Sequence, residues 1–235
     1  APAPDAPVLD GKTLVTLGDS LTAQSNWAEM ASEALNMKLV NAGIGGHTSA
    51  DGIARFDRDV AAANPDYVVI AFGTNDFVRW GADPTVTLDN YRQNMSSLVG
   101  RVRALDATPL LFTAPYVRDD AWMKGVGTYP DGEDTLTDSI DVYNRTIREI
   151  AAEQAVDLVD MREMCSQHDI YDFLQIDGVH LSLYGQKKYA ETLVAYMQEH
   201  FRQDADAPRV EYPRIPTTPV KGTQSLISLD PSDWT

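Results

Sequence analysis

The chain has 235 residues, 43% hydrophobic and 23% charged, which is typical of a globular protein large enough to bury a core. Its 35 acidic and 19 basic residues give a formal net charge of −16, and such a surface repels the phosphates of nucleic acids and anionic lipids. The longest uninterrupted apolar run covers residues 67–72, far short of the roughly 20 residues of a membrane-spanning helix. We therefore expect no nucleic-acid partner and no stable membrane insertion.

Short apolar or β-branched runs alternate with longer segments of helical spacing. The run at residues 13–17 predicts a strand, and apolar residues spaced i, i+3, i+4, i+7 and i+8 from Trp27 predict the helix that follows. The run at 67–72 is typical of a strand covered on both faces of a sheet. Strands are predicted at 13–17, 38–41, 67–72, 109–112 and 156–159, and helices at about 27–35, 49–60, 88–102, 140–151 and 183–201.

This alternation predicts a single three-layer α/β/α domain with a five-stranded parallel sheet in the flavodoxin-like order 2-1-3-4-5. We assign the domain to residues 11–203. Residues 1–10 are rich in proline and predict a flexible N-terminal segment, and residues 204–235 hold five prolines and predict an extended C-terminal tail. The Ala-Pro start is typical of a chain whose signal peptide was removed, which favours secretion or a periplasmic location.

Metal ligands in recognisable patterns are missing from the sequence. Cys165 is the only cysteine, so neither an intrachain disulfide nor a thiolate zinc cage can form. The histidines show no HExxH or HxxxH pair, and no acidic calcium-loop pattern is present. We expect no metal site. The four histidines are His47, His168, His180 and His200.

Chemically useful residues collect in four turns at the carboxyl ends of predicted strands, where open parallel sheets bind their ligands. Together the turns contain a serine hydroxyl, glycine backbone amides, a carboxamide, and a carboxylate three residues before an imidazole. The turns are Gly18-Asp19-Ser20-Leu21, Asn41-Ala42-Gly43-Ile44-Gly45-Gly46-His47-Thr48, Gly73-Thr74-Asn75-Asp76 and Asp177-Gly178-Val179-His180.

These groups are the ones that an acyl-transfer site needs. A serine hydroxyl requires an adjacent base, a neutral histidine accepts its proton when a carboxylate fixes the tautomer, and the oxyanion needs preorganised donors. Each turn also has a structural interpretation: Ser20 as a helix N-cap, residues 73–76 as a simple turn, and Asp177 with His180 as a surface pair. The occurrence of all four turns at one sheet edge favours catalysis.

In this order, the four turns resemble the sequence blocks of the SGNH (GDSL) hydrolases, over about residues 11–201. The resemblance implies that Ser20 is the nucleophile, His180 the general base and then acid, and Asp177 its orienting partner. The implied oxyanion donors are the backbone amides of Ser20 and Gly46 and the carboxamide of Asn75. The Gly-x-Ser-x-Gly elbow of other α/β esterases is absent, because Thr22 stands where the second glycine belongs.

The family hydrolyses carboxylic esters and thioesters without a metal or cofactor. The resemblance therefore implies a serine esterase that forms an acyl-enzyme on small-molecule, lipid or glycan esters. We expect short-to-medium acyl groups and, from the Ala-Pro start, a secreted enzyme. A carbohydrate O-acetyl esterase and an acyltransferase are the alternatives within the family. A flavodoxin-like or carbohydrate-binding module is the non-enzyme alternative, and the sequence indicates no particular oligomeric state.

Four residues are further candidates for the substrate pocket. We expect Asp19 to hold its turn rather than to act as a catalytic carboxylate. Tyr116 opens the segment 116–138, which predicts a loop long enough to wall the crevice, and this loop includes Trp122, Met123 and Tyr129. The four pocket candidates are Asp19, His47, Tyr116 and Val179.

Overall fold

A computed structural model describes residues 9–78, 85–119 and 135–201. These residues form a sheet of five parallel strands in the order β2-β1-β3-β4-β5, which confirms the predicted topology. The order reverses direction beside β1, so β1 and β3 flank the point at which such sheets bind ligands. The strands are β1 (Thr13–Gly18), β2 (Lys38–Gly43), β3 (Tyr67–Ala71), β4 (Thr108–Phe112) and β5 (Asp157–Val159).

The helices differ from the prediction in four places. The segment 116–138 ends earlier than predicted, because the Thr135 hydroxyl caps the Asp138 amide and a helix begins at Leu136. Helices α1, α6 and α7 are too short to show a helical period in the sequence. The described α-helices are α1 (Ser20–Ala23), α2 (Trp27–Ala34), α3 (Ser49–Asp59), α4 (Leu88–Arg103), α5 (Leu136–Gln154), α6 (Met161–Ser166), α7 (Ile170–Phe173) and α8 (Leu183–His200).

Apolar side chains cover both faces of the sheet, as the uninterrupted run of β3 predicts. Val68 and Ile70 of β3 point into one buried cluster, which helices α3, α4 and α5 complete. Tyr67 and Val69 point into a second cluster on the opposite face, which α2 and α8 complete. The domain therefore has three layers. None of the described helices is both long and apolar enough to cross a bilayer.

The described domain reaches slightly beyond its predicted N-terminal boundary. Leu9 is fully buried in the second cluster, although residues 1–10 are predicted as a flexible segment. At the other end, the Phe201 ring packs edge-on against the Tyr67 ring with centroids 5.0 Å apart. The predicted tail, residues 204–235, lies outside the described residues.

A buried arginine holds the carboxyl ends of β1 and β2. The Arg55 guanidinium donates to the carbonyl oxygens of Gly18 at 2.8 Å and Ala42 at 2.6 Å. Asp59, one turn further along α3, pairs with the same guanidinium at 3.0 Å. The turn that carries Ser20 begins at Gly18. Because Arg55 bonds the Gly18 carbonyl, this cation helps to position the edge of the sheet from which the site is built.

Candidate active site

Ser20 is the first residue of α1 and follows β1 after a single connecting residue. That residue, Asp19, is the helix N-cap, and its Oδ1 accepts the Leu21 amide at 2.9 Å. Ser20 is therefore not the cap, and its hydroxyl remains available for another contact. Gly18 permits this sharp exit, because a Cβ atom there would lie 2.2 Å from Thr22 Oγ1.

The His180 imidazole connects Ser20 to Asp177. Its Nε2 lies 2.9 Å from Ser20 Oγ, and its Nδ1 lies 2.6 Å from Asp177 Oδ2. Ser20 and His180 are 160 positions apart in sequence, so the fold makes this contact. Ser20 is 8% exposed, so it is largely buried at the sheet edge but not fully enclosed.

The loop that carries Asp177 and His180 is organised by its own hydrogen bonds. Asp177 Oδ1 accepts the backbone amides of Val179 at 2.9 Å and His180 at 3.0 Å, which leaves Oδ2 for the imidazole. Gly178 adopts a φ of 73°, a conformation that favours glycine. Burial opposes ionisation of Asp177, but hydrogen bonds from the imidazole and the two amides outweigh it and lower the pKa of the carboxyl. The aspartate is therefore an anion at neutral pH.

The glycine-rich turn after β2 lies beside the nucleophile. The His47 amide donates to the Ile44 carbonyl at 3.2 Å, and Gly46 has a φ of 78°, as the third position of a type II turn requires. A Cβ atom on Gly45 would lie 3.8 Å from the Ser20 Cβ. This distance places the turn within reach of a group bound at Ser20.

Asn75, in the turn after β3, is attached to this glycine-rich turn. Its Nδ2 donates to the His47 carbonyl at 3.0 Å, which brings the carboxamide next to the segment that carries Gly46. Gly43, which also lies in this glycine-rich stretch, donates its amide to Asn41 Oδ1 at 3.0 Å. The backbone amide of Gly43 is therefore already used in a hydrogen bond within its own stretch.

Two buried carboxyl groups, those of Asp19 and Asp76, belong to the turns after β1 and β3. Burial raises the pKa of Asp19 to about 7, and the nearby charge of Asp76 adds to the effect. Burial also raises the pKa of Asp76 to about 6, although two hydrogen bonds from Ser49 favour its anion. Asp19 lines a narrow pocket between the ends of β1, β3 and β4, together with the hydroxyl-bearing residues Thr22 and Thr74.

The other pocket candidates lie in different surroundings. Tyr116 is 6% exposed and packs in the second core cluster, where its hydroxyl donates to the His168 carbonyl. Val179 is buried in the first cluster, because its apolar side chain turns away from the loop surface that carries His180. His47 is half-buried. Trp122, Met123 and Tyr129 lie outside the described residues.

Several polar residues that shape the site have no role in the sequence-based prediction. Asn144 of α5 is buried and pairs with both backbone groups of Ala114, accepting its amide at 2.8 Å and donating to its carbonyl at 3.0 Å. A signal exists for Asn144, since it is a polar residue four positions after Ile140 on the apolar face of its helix. Ser49 has no comparable sequence signal, and Asp76 is named in the third turn without a role of its own.

Exposed apolar side chains lie before, within and after the loop that carries His180 in the sequence. The Arg118 guanidinium lies 4.4 Å from the centre of the Tyr171 ring, and the Arg118 amide donates to the Gly178 carbonyl at 2.9 Å. The ring of Tyr171 is thereby linked to the loop. The large hydrophobic residues exposed in this part of the chain are Tyr171, Ile176, Leu183 and Tyr184.

A parallel α/β sheet with a serine, an imidazole and a carboxylate in one hydrogen-bonded series at its carboxyl edge is the architecture of an α/β serine hydrolase. Within the described ranges, no three His, Cys, Asp or Glu side chains come together as metal ligands. The chain matches the GDSL-like lipase/acylhydrolase family over residues 16–188, and it belongs to that family.

Three relatives illustrate the similarity. The esterase TesA of Pseudomonas aeruginosa is 28% identical over 193 residues, which cover 77% of this chain and 86% of TesA. A lipoprotein of Bacillus subtilis, YqeF, is 34% identical over 114 residues, which cover 43% of this chain and 47% of the lipoprotein. The crystal structure of a catalytic mutant of Axe2, an acetylxylan esterase of Geobacillus stearothermophilus, superposes with a TM-score of 0.67 at 25% identity, covering 83% of this chain and 99% of Axe2.

Proposed function

We propose that the protein hydrolyses carboxylic esters through a covalent acyl-enzyme, with Ser20 as nucleophile, His180 as general base and acid, and Asp177 as the orienting carboxylate. The hydrogen-bonded series Asp177–His180–Ser20, with distances of 2.6 and 2.9 Å, carries this proposal. The solved catalytic mutants of Axe2 give further support. They replace a serine, an aspartate, and a histidine three residues after that aspartate, which is also the spacing from Asp177 to His180.

The arrangement accounts for both halves of the reaction. As Ser20 Oγ attacks the ester carbonyl carbon, His180 Nε2 accepts the hydroxyl proton, and Asp177 stabilises the resulting imidazolium through Nδ1. The imidazolium then gives this proton to the alcohol oxygen as the carbon–oxygen bond of the ester breaks. Water repeats the sequence on the acyl-enzyme, which releases the carboxylic acid and restores the Ser20 hydroxyl.

The oxyanion of each tetrahedral intermediate needs donors, and we assign the amides of Ser20 and Gly46 and the carboxamide of Asn75. The Asn75 Nδ2 carries two protons, of which one donates to the His47 carbonyl. The second proton is available for the oxyanion. A donor of this kind contributes about a hundred- to a thousandfold to kcat.

For the substrate we propose small esters with a short-to-medium acyl group. An O-acetylated carbohydrate is the second candidate, because the exposed rings of Tyr171 and Tyr184 beside the His180 loop offer flat surfaces for a sugar. The similarity to Axe2, which is an acetylxylan esterase, also favours this candidate.

The test compares the unmodified protein with Ser20→Ala on p-nitrophenyl esters from acetate to palmitate and on acetylated xylan. We expect the variant to keep its thermal unfolding midpoint and to lose at least about a thousandfold in turnover. Ser166→Ala is the matched control, because that exposed serine bonds only the carbonyl of its own helix at Glu163. Turnover of Ser20→Ala at the level of the control would refute the proposal, and the preferred ester identifies the substrate class.

We also propose that the protein acts outside the cytoplasm. The relative YqeF is named as a lipoprotein, which supports this location. Fractionation of cells that express the natural gene tests the proposal: activity in the medium or periplasm supports it, and activity confined to the cytoplasm contradicts it.

A further inference from the structure

A buried polar contact joins the turn after β3 to the beginning of α3. Asp76 Oδ1 accepts both the backbone amide of Ser49 at 3.0 Å and the Ser49 hydroxyl at 2.6 Å. Asp76 and Ser49 are both fully buried. Asn94 of α4 donates from Nδ2 to Ser49 Oγ at 3.0 Å, so the hydroxyl has a donor on one side and an acceptor on the other.

The two ends of this contact are attached to the two segments that carry oxyanion donors. Asp76 directly follows Asn75. Ser49 begins α3, directly after the N-cap Thr48 and only three residues beyond Gly46. The bond from Asn75 Nδ2 to the His47 carbonyl joins the same two segments. Their separation is therefore determined by contacts at two neighbouring points.

The contact has a cost, because Asp76 is a carboxyl group in the protein interior. Burial raises its pKa to about 6 even though both Ser49 donors favour the anion. Asp76 Oδ2 is buried and has no hydrogen-bond partner among the described residues. An apolar side chain at this position would avoid both penalties. A carboxyl group that is held in the interior at such a cost and that tethers the site is typical of a functional constraint.

We propose that Asp76, acting through Ser49, is a positioning residue that sets the distance between the Gly46 amide and the Asn75 carboxamide. This inference rests on the proposed function, since it assumes that these two groups bind the oxyanion. Catalytic groups have to be held within about 0.5 Å of their productive geometry. A displacement of about 1 Å reduces the rate by roughly a hundredfold.

The first test replaces Asp76 in two ways and measures kcat and KM on a p-nitrophenyl ester, with active enzyme counted by titration. Asp76→Ala removes the acceptor for both Ser49 bonds, and we expect kcat to fall by about ten- to a hundredfold with KM nearly unchanged, because the donors act mainly in the transition state. Asp76→Asn retains an oxygen that can accept both bonds, so we expect it to restore most of kcat.

Asp66→Ala is the matched control. Asp66 directly precedes the same strand, β3, and its carboxylate accepts the Thr13 amide and pairs with Lys12, both at 2.8 Å, at the opposite edge of the sheet. We expect this variant to unfold at a lower denaturant concentration but to keep its kcat. An equal loss of kcat in Asp66→Ala and Asp76→Ala would overturn the inference.

A second variant keeps the test decisive if Asp76→Ala does not fold. Ser49→Ala removes only the hydroxyl bond, and we expect kcat to fall by about three- to tenfold with KM unchanged. Inhibition by a boronic acid, which forms a tetrahedral adduct with the serine, should weaken in parallel with kcat. Unchanged kcat and inhibition in Ser49→Ala would overturn the inference, as would a loss in Asp76→Asn as large as that in Asp76→Ala.

Failure of the inference and failure of the proposed function give different results. If Ser20→Ala retained turnover, the proposed function itself would be wrong. If Ser20→Ala were inactive while both Asp76→Ala and Ser49→Ala kept the unmodified kcat, the catalytic assignment would stand and only the positioning role would be lost.

Discussion

The two halves of the proposed site differ in how far apart their residues lie in the sequence. The proposed acid–base half lies on one loop, where Asp177 bonds the backbone amides of Val179 and His180 as well as the imidazole. The proposed oxyanion half brings together Ser20 and the segments that contain Gly46 and Asn75, which follow three different strands. The first half is a local structure, whereas the second depends on tertiary contacts such as the one between Asp76 and Ser49.

This difference determines how substitutions should act. In the loop, a substitution that keeps the backbone bonds can remove one chemical function and leave the geometry intact. In the oxyanion half, the side chains that hold the geometry are distinct from the groups that would touch the oxyanion. The following substitutions distinguish the loss of a functional group from the loss of the geometry that holds such groups. They are given in order of decreasing expected effect.

Asp177→Asn should give the largest of these effects. The asparagine Oδ1 can still accept the two backbone amides, but its Nδ2 cannot accept the proton of His180 Nδ1. The imidazole then loses the tautomer that accepts the Ser20 proton, and we expect kcat to fall by about a thousand- to ten-thousandfold. Steady-state kinetics and the unfolding midpoint measure the two consequences. Retention of a tenth of the activity would show that Asp177 does not orient His180.

Asn75→Ala should lower kcat by about a hundred- to a thousandfold with a small change in KM, because one oxyanion donor is lost. The bond to the His47 carbonyl is lost as well, so the turn that carries Gly46 loses one of its two attachments. Asn75→Asp keeps the shape but loses both donated bonds and adds a negative charge where the oxyanion would form, so we expect its kcat to be lower still. A fall of less than threefold in both variants would exclude Asn75 from the oxyanion site.

Arg55→Met should act mainly on stability. The substitution removes the donors to the Gly18 and Ala42 carbonyls and leaves Asp59 without its buried partner, which costs about 2 to 4 kcal/mol of unfolding free energy. Urea unfolding measures the change. Arg58→Met is the control, since Arg58 is largely exposed and bonds the same Asp59, and its loss should change stability much less than the loss of Arg55. Equal effects of the two substitutions would contradict this account of the sheet edge.

Asp19→Asn should give the smallest effect, and one that depends on pH. The folded state holds the Asp19 proton up to a pKa of about 7, whereas the unfolded chain loses it near pH 4, so stability falls as the pH rises between these values. Asparagine keeps the acceptor for the Leu21 amide and cannot ionise. The variant should therefore be more stable than the unmodified protein at pH 8, by about 1 to 4 kcal/mol, with little difference at pH 4.

Urea unfolding at pH 4, 6 and 8 checks this prediction. Asp172→Asn, at an exposed aspartate of α7, is the matched control and is measured at the same three pH values. If Asp19→Asn showed the same decline in stability between pH 4 and 8 as the unmodified protein, another buried group would be responsible.

The sheet order and the positions of all five strands follow from the sequence, because apolar runs and their alternation with helical segments are local signals. The limits of this approach appear where local signals are weak. Helices α6 and α7 are too short to show a period. Leu9 is buried although it lies in a proline-rich stretch, because burial depends on what packs against a residue.

The candidate site shows the same division. The residues named in its four turns are recognisable because a hydroxyl, a carboxamide and an Asp-x-x-His pair are unusual together at strand ends. The pocket candidates Tyr116 and Val179 belong to the two core clusters, where burial of their apolar groups is favourable. Asp76 and Ser49 act through contacts made only in the folded chain, so no pattern in the sequence reveals that role, whereas Asn144 is marked as a polar residue on the apolar face of α5.

Reaction with a fluorophosphonate probe tests the central claim most directly, since the probe forms a covalent bond only with a serine that an adjacent base has activated. Peptide mapping by mass spectrometry should find the adduct on Ser20 in the unmodified protein, and labelling should be lost in Ser20→Ala and reduced strongly in His180→Ala. An unlabelled protein, or an adduct on a serine other than Ser20, would contradict the assignment of the nucleophile.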